Sequence, residues 1–207
     1  MSHGHHSHPR KAEWKRQSAI VSRWLHIYLS MVSFAILLFF AVTGITLNHQ
    51  DWFSNTRTIQ AKGQVQEKWV KVADAKDVAK LEIVEYLRKT NGVKAALADF
   101  RIEDAQCQAS FKGPGYSADA FIDRTNGSYE LTETRQGLVA VLNDLHKGRD
   151  SGTAWAWIID ASAGLMTLVS LTGLVLIFFL QKRRASGLLA VAIGGILCWV
   201  VYVIWVP

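Results

Sequence analysis

The chain has 207 residues, of which half are hydrophobic and only 19% are charged. Three stretches lack almost any charge, at residues 20–47, 155–180 and 188–206. Each reaches the roughly 20 apolar residues that cross about 30 Å of hydrocarbon, so an ordinary soluble domain is excluded. The first stretch is about twice as long as the apolar region of a signal peptide, and no small-residue cleavage site follows it. We expect it to remain as a membrane anchor.

The net charge of +6 is unevenly distributed along the chain. Residues 48–152 carry 15 Lys and Arg against 15 Asp and Glu, so the excess flanks the apolar stretches. It comes from Arg10, Lys11, Lys15, Arg16, Arg23 and the run Lys182, Arg183 and Arg184. By the positive-inside rule, the N-terminus and this run lie in the cytoplasm and the long loop lies outside. No other basic cluster exists, so nucleic acid is not expected as a partner.

These observations predict a membrane protein with three helices and an α+β domain inserted between the first two. The first residues, MSHGHHSHPR, hold four of the seven histidines and are either a loose metal-binding tract or a solubilising tail. The predicted segments in chain order are a cytoplasmic His-rich tail at 1–17, helix one at 18–48, an outer domain at 49–152, helix two at 153–181, a cytoplasmic turn at 182–187 and helix three at 188–207.

The outer domain reads as a helix packed on an antiparallel sheet. Residues 74–90 have helical apolar spacing, which predicts one buried face made of Val78, Leu81, Val84, Tyr86 and Leu87. Apolar and polar residues then alternate in four short runs, at 98–102, 106–111, 116–122 and 128–131. Gly113-Pro114-Gly115 and Asn126-Gly127 separate the later runs as turns. Residues 136–146 return to helical spacing.

Two cysteines and two small-residue pairs limit the chemistry of the chain. Cys107 lies in a strand-like segment and Cys198 within helix three, so we expect two free thiols. The pairs Thr43-Gly44 and Thr172-Gly173 occur in similar apolar sequences of helices one and two. Small residues in membrane helices allow close helix packing, and they would equally allow a flat macrocycle to lie against the backbone.

Three histidines remain outside the tail. His26 lies near the cytoplasmic end of helix one. His49 follows 23 residues later, which is about 35 Å along a continuous helix and therefore near the outer face. His146 ends the segment that leads into helix two, also outside. The sequence thus brings His49 and His146 to one surface, and it excludes His26 from that site within one subunit.

Two imidazoles that converge between helices leave three interpretations open. They either hydrogen-bond at a helix interface, coordinate zinc or copper, or ligate haem iron. Zinc or copper would recruit further ligands, and Asp51, Asp144 and Asp150 are close enough in sequence. Haem needs two axial ligands and an apolar slot, whose walls would be Trp52, Phe53, Trp155, Trp157 and the glycines.

Asp160 is the only acid inside an apolar stretch. Ionisable groups within membrane helices are costly and usually functional. Asp160 is therefore a candidate for proton handling or for orienting a ligand imidazole, with an interfacial, water-exposed carboxylate as the alternative.

Several segments together resemble a known family. Arg23-Trp24-Leu25-His26, followed by an apolar run to Thr43-Gly44, resembles the first helix of the PepSY-associated transmembrane family. The outer helix and strands are like a PepSY domain. The segments around His146, around Asp160 and at Leu171-Thr172-Gly173-Leu174 resemble the second helix of the family and the element before it. The resemblance covers residues 18 to about 184.

The resemblance implies a short, three-helix bacterial inner-membrane protein related to haem-containing ferric and ferri-siderophore reductases. It would pass electrons from quinol or another donor through haem b to ferric iron or a ferric chelate at the periplasmic face. His49 and His146 would be the axial ligands of an outer haem. His26 would ligate a second haem, serve a quinol site or hydrogen-bond structurally.

The chain has fewer membrane helices and fewer candidate haem ligands than the larger reductases. Two arrangements of haem therefore remain open. Either a homodimer shares ligands, with glycines 44, 164 and 173 at its contact, or only the outer haem exists and quinol reduces it. The alternative function is a non-catalytic, membrane-anchored PepSY module that binds a partner or restrains a protease.

Overall fold

The computed structural model describes residues 9–53 and 55–206. Of the predicted His-rich tail at 1–17, residues 1–8 lie outside the described range, and residues 9–17 form the start of a helix. The described helices are α1 (Pro9–Asn48), α2 (Glu67–Val70), α3 (Lys80–Asn91), α4 (Leu138–Lys147), α5 (Gly152–Phe179) and α6 (Arg184–Trp205). The strands are β1 (Thr56–Gln64), β2 (Ala96–Ile102), β3 (Gln106–Gly113), β4 (Tyr116–Asp123) and β5 (Ser128–Gln136).

Three of the described helices are long and apolar enough to cross a membrane. They comprise Arg16–Asn48 of α1, all of α5 and all of α6. Helix α1 begins at Pro9 and α6 at Arg184, each several residues before the predicted start. Charged residues such as Arg and Lys are good helix formers, so a helix continues past the end of its apolar stretch. Polarity alone therefore misplaces these boundaries.

The sheet has five antiparallel strands in the order β1-β5-β4-β3-β2. Strands β2 to β5 form a meander, as the alternating runs predicted. Strand β1 was not predicted, because its sequence TRTIQAKGQ lacks a regular apolar alternation and most of it is exposed at the sheet edge. It pairs with β5 along its whole length, from Thr56 opposite Gln136 to Gln64 opposite Ser128.

Helix α3 covers one face of this sheet, but its predicted buried side was partly wrong. Leu81 is 69% exposed, whereas Ile83 and Leu87 are fully buried. The helix begins at Lys80 and not at residue 74, and its buried face centres on residues 83, 84 and 87. At 100° per residue Leu81 falls outside that face. The core beneath it includes Cys107, Ala109, Phe111, Ala118, Ala120, Ile122, Tyr129 and Leu131.

The turns of the domain follow the glycines of the sequence. Gly115 and Gly127 have φ values of 64° and 74°, so these turns need residues that tolerate left-handed backbone. The Arg124 guanidinium, just after β4, donates to the carbonyls of Val72, Glu103 and Asp104 at 2.9 to 3.2 Å. It ties the loop before α3 to the β2–β3 turn.

The chain divides into two compact units, residues 39–159 and the remaining membrane-helix segments. The first holds the antiparallel sheet domain with the ends of two membrane helices. Both cysteines are free thiols, as expected. The structure therefore has three candidate membrane helices and a separate antiparallel sheet domain.

Candidate functional site

His146 lies on α4 and contacts the C-terminal part of α1. Its Nδ1 atom is 2.6 Å from Oγ1 of Thr43, and its ring packs edge-on against Phe40 with centroids 4.9 Å apart. The Thr43 hydroxyl also donates to the Phe39 carbonyl at 2.6 Å. With the hydroxyl proton assigned to the Phe39 carbonyl, the Thr43 oxygen accepts from the imidazole, and this network assigns the ring proton to Nδ1. Nε2 of a neutral His146 is then the unprotonated nitrogen.

His26 makes the same kind of contact with α5. Its Nδ1 atom lies 3.1 Å from Oγ1 of Thr172 and 3.2 Å from the carbonyl oxygen of Val169. A carbonyl oxygen only accepts hydrogen bonds, so Nδ1 carries the proton here as well. The Thr172 hydroxyl donates to its own helix backbone, which leaves its oxygen to accept from His26. Both imidazoles are therefore held as the same tautomer, with Nε2 unprotonated.

Each histidine meets a Thr-Gly pair, and the two residues of the pair contribute differently. The threonine supplies the oxygen that accepts from Nδ1, while the glycine leaves space for the ring. A Cβ added at Gly173 would lie 3.0 Å from Cε1 of His26, whereas a Cβ at Gly44 would lie 3.9 Å from Cε1 of His146. The contact on α5 is the tighter one and does not admit a methyl group without movement.

Other contacts hold α4, and with it His146, in place. Thr46 of α1 donates to Oδ1 of the buried Asn143 at 2.6 Å. At the other end, the Trp155 indole donates to the Leu145 carbonyl at 2.7 Å. The helix ends at Gly148, whose φ of 70° suits a left-handed C-cap. The His146 ring is thus oriented by backbone and side chains on both sides of it.

His49 is placed differently from the other two histidines. It follows the end of α1, and its ring stacks on Trp52 with centroids 4.0 Å apart and an interplanar angle of 12°. Among the described residues, no hydrogen bond or ring contact joins His49 to His146. The structure brings each of them to a different neighbour within the same compact unit.

Asp144, one of the carboxylates considered as further ligands, contacts other groups. Oδ2 of Asp144 accepts from the Gly115 amide at 2.9 Å, and its Oδ1 lies 4.0 Å from Arg149. Asp160 is exposed, eight residues after the first residue of α5. Within residues 9–53 and 55–206, no group of three His, Cys, Asp or Glu side chains is arranged to hold a metal ion. A multi-ligand zinc or copper site therefore has no support from the described side chains.

Comparison with known proteins covers nearly the whole chain. A family model described as PepSY_TM-like matches residues 20–207. The chain belongs to the PepSY_TM-like family. The match includes all three candidate membrane helices and the sheet domain, so the resemblance found in the sequence is confirmed at this level. Searches of curated proteins and of solved structures found no match to the chain.

Sequence reasoning missed the role of two residues in this PepSY_TM-like chain. The Thr-Gly pairs were recognised as repeated, but only as places of close approach. The structure shows that Thr43 and Thr172 hydrogen-bond the two histidines. A signal was present, since the chain has two membrane-helix Thr-Gly pairs and few histidines outside the tail. Pairing each histidine with a threonine, however, requires the register between helices.

Proposed function

We propose that this chain is an inner-membrane b-type haem ferric reductase. The proposal rests on one observation, the contact of Nδ1 in both His26 and His146 with a threonine hydroxyl oxygen. A histidine that ligates a metal through Nε2 commonly donates its other ring N–H to an oxygen, which fixes the ring and raises its basicity. Thr43 and Thr172 supply such oxygens. The imidazoles of His26 and His146 therefore fit metal ligation through Nε2.

The proposed ligands are divided between the two ends of α1. His49 and His146 would hold an outer haem, within one subunit or across a homodimer. His26 serves the cytoplasmic side, as ligand of a second, dimer-shared haem or as part of a quinol site. When bound, haem b supplies single-electron transfer. Thr43 and Thr172 keep the ligand rings in orientation, and Asp160 is proposed to handle protons or to orient an imidazole.

The charge distribution supports the proposed direction of electron flow. Basic residues flank the helix ends assigned to the cytoplasm, and the sheet domain is electrically balanced. The domain then faces the periplasm of a bacterial cell. Ferric iron or a ferric chelate would be reduced there, with electrons from quinol or another donor in the membrane.

An absorption spectrum of the purified chain, expressed with full haem supply, tests the proposal. We expect a Soret band that shifts on reduction with dithionite. His146→Ala and His49→Ala should remove the bis-histidine spectrum and ferric reduction while the chain still inserts into the membrane. A colourless wild-type preparation would overturn the proposal, and so would unchanged haem content and spectrum in both variants.

A matched pair of threonine variants separates ligand orientation from helix packing. Thr43→Val removes the oxygen that accepts from His146, whereas Thr46→Val removes a hydrogen bond between the same two helices one turn away. Loss of such a partner typically weakens metal affinity about 10- to 100-fold. We expect that loss of haem affinity in Thr43→Val and little change in Thr46→Val. Equal effects in both variants would indicate packing alone.

The second candidate is a non-catalytic, membrane-anchored PepSY module that binds a partner or restrains a protease. The same contacts favour it in one respect, because a histidine bonded to a Thr-Gly pair also joins two helices without any cofactor. Under this function, the haem-free chain would be fully stable, and His26→Gln or His146→Gln would alter helix packing but no spectrum. The spectrum described above therefore distinguishes the two candidates.

A further inference from the structure

One face of α5 points away from the side that carries the His26 contact. Asp160, Gly164, Thr167 and Leu171 recur at intervals of four, three and four residues, which places them on one side of the helix. All four are exposed, and nothing lies within 4 Å of the position of a Cβ on Gly164. Asp160, on this face, is the only acid within the three candidate membrane spans of the described residues.

Helix α6 has a face whose residues complement these in size and polarity. Val191, Gly195, Trp199 and Tyr202 recur at intervals of four, four and three residues, and all are exposed. Trp199 is 65% exposed and Tyr202 is 63% exposed. A glycine, a large indole and a phenol hydroxyl thus share one side of α6.

The two faces match level by level along the membrane. Asp160 lies 19 residues before the end of α5 and Tyr202 lies 18 residues after the start of α6. At 1.5 Å per residue these distances are about 28 and 27 Å from the turn between the helices. Gly164 and Trp199 are each 15 residues from that turn, about 22 Å. If the two faces packed together, the carboxyl group would lie level with the phenol and the open glycine level with the indole.

The α6 helix of the same chain does not occupy this face. It contacts α5 beside the turn, where a Cβ on Gly187 would lie 3.2 Å from the Ile177 side chain. Farther along, the described side chains of Asp160, Trp199 and Tyr202 remain exposed. A carboxyl group facing hydrocarbon is costly, and polar groups in membrane helices usually find a partner in another helix.

We propose that this α5 face binds the α6 face of a second copy of the chain. A two-fold axis makes the contact twice, with Asp160 of each copy accepting from Tyr202 of the other and Trp199 filling the space above Gly164. Gly44 and Gly173 face imidazoles of their own chain, which leaves Gly164 as the open glycine among the three expected at a dimer contact.

Disulfide formation in native membranes tests the contact. Cys198 precedes Trp199 and is exposed, so Gly164→Cys supplies its partner without a second substitution on α6. On mild oxidation we expect a covalent dimer from Gly164→Cys and none from Leu165→Cys, which lies 100° around α5 at nearly the same level. No dimer, or a disulfide within one chain seen as a monomer of altered mobility, would overturn the proposal.

Substitutions at the polar pair give a second readout. Asp160→Leu and Tyr202→Phe, each added to Gly164→Cys, should lower the rate of dimer cross-linking roughly 3- to 20-fold, the range for hydrogen bonds between membrane helices. Asp160→Asn keeps an acceptor and should retain the rate. If the two residues are partners, the double variant should be no slower than either single variant. Additive losses would refute the pairing of Asp160 with Tyr202.

Discussion

The tight contact between His26 and Gly173 allows a quantitative prediction. In Gly173→Ala the new methyl group would lie 3.0 Å from Cε1 of the ring, against an ordinary separation of about 3.5 to 4.0 Å between carbon atoms. The ring must shift by a few tenths of an ångström. Its two hydrogen bonds, now 3.1 and 3.2 Å long, would then approach or exceed their normal limit.

The expected cost combines overpacking with the loss of these bonds. Overpacking a close contact costs about 1 to 3 kcal/mol, and a hydrogen bond between membrane helices contributes about 0.6 kcal/mol on average. Replacing glycine by alanine within a helix stabilises the helix by up to about 1 kcal/mol, which offsets part of this cost. We therefore expect Gly173→Ala to lower the free energy of unfolding by about 1 to 3 kcal/mol.

Two matched variants isolate the effect of the ring. Gly44→Ala repeats the change in the other Thr-Gly pair, where the new methyl group would lie at an ordinary 3.9 Å from His146. Gly194→Ala measures helix propensity alone, since nothing lies within 4 Å of that position. Unfolding in detergent, titrated with SDS, should show a loss only for Gly173→Ala. Equal stability of Gly173→Ala and Gly44→Ala would refute the reasoning.

Three further predictions concern the sheet domain. Leu87→Ala should lower the free energy of unfolding of the domain by about 2 to 5 kcal/mol in a chemical unfolding titration, whereas Leu81→Ala should change it little, because only Leu87 is buried. Burial, with the nearby carboxylate of Glu133, raises the pKa of Tyr116 to about 12. The neutral phenol thus contributes stability that is complete below pH 10 and lost as the pH rises towards 12, and in Tyr116→Phe this part of the decline should be absent. Burial also raises the pKa of the Cys107 thiol, so peptide mapping should find it unmodified by a maleimide until the domain unfolds.

The sequence predicted elements where one physical signal dominated. Long apolar stretches located the three membrane helices, and glycine turns located the meander, because each of these follows from the local sequence. Strand β1 was not predicted, because an exposed edge strand has little apolar alternation in its sequence. The buried side of α3 depends on where the helix begins, and the polar residues before Lys80 gave no clear start.

In the candidate site, too, the sequence indicated some features and missed others. The sequence was sufficient to single out His26, His49 and His146, since few histidines lie outside the tail. It did not predict that Thr172 bonds His26 or that Thr43 bonds His146, because residues 146 and 103 positions apart meet only through the packing of helices. The stacking of His49 on Trp52 spans three residues, yet it depends on a turn whose geometry the sequence does not specify.

The hydrogen bonds of Thr43 and Thr172 assign the ring proton of His146 and His26. An imidazole that only joined two helices would be equally well satisfied with the proton on either nitrogen, provided that its neighbour could accept or donate. At both contacts the threonine donates to its own helix backbone, so the neighbour offers an acceptor and Nδ1 must carry the proton. This leaves the more distal nitrogen, Nε2, unprotonated in two separate places. This arrangement is compatible with the proposed ligation and equally with a structural contact between two helices, so the comparison of Thr43→Val with Thr46→Val is the measurement that distinguishes them.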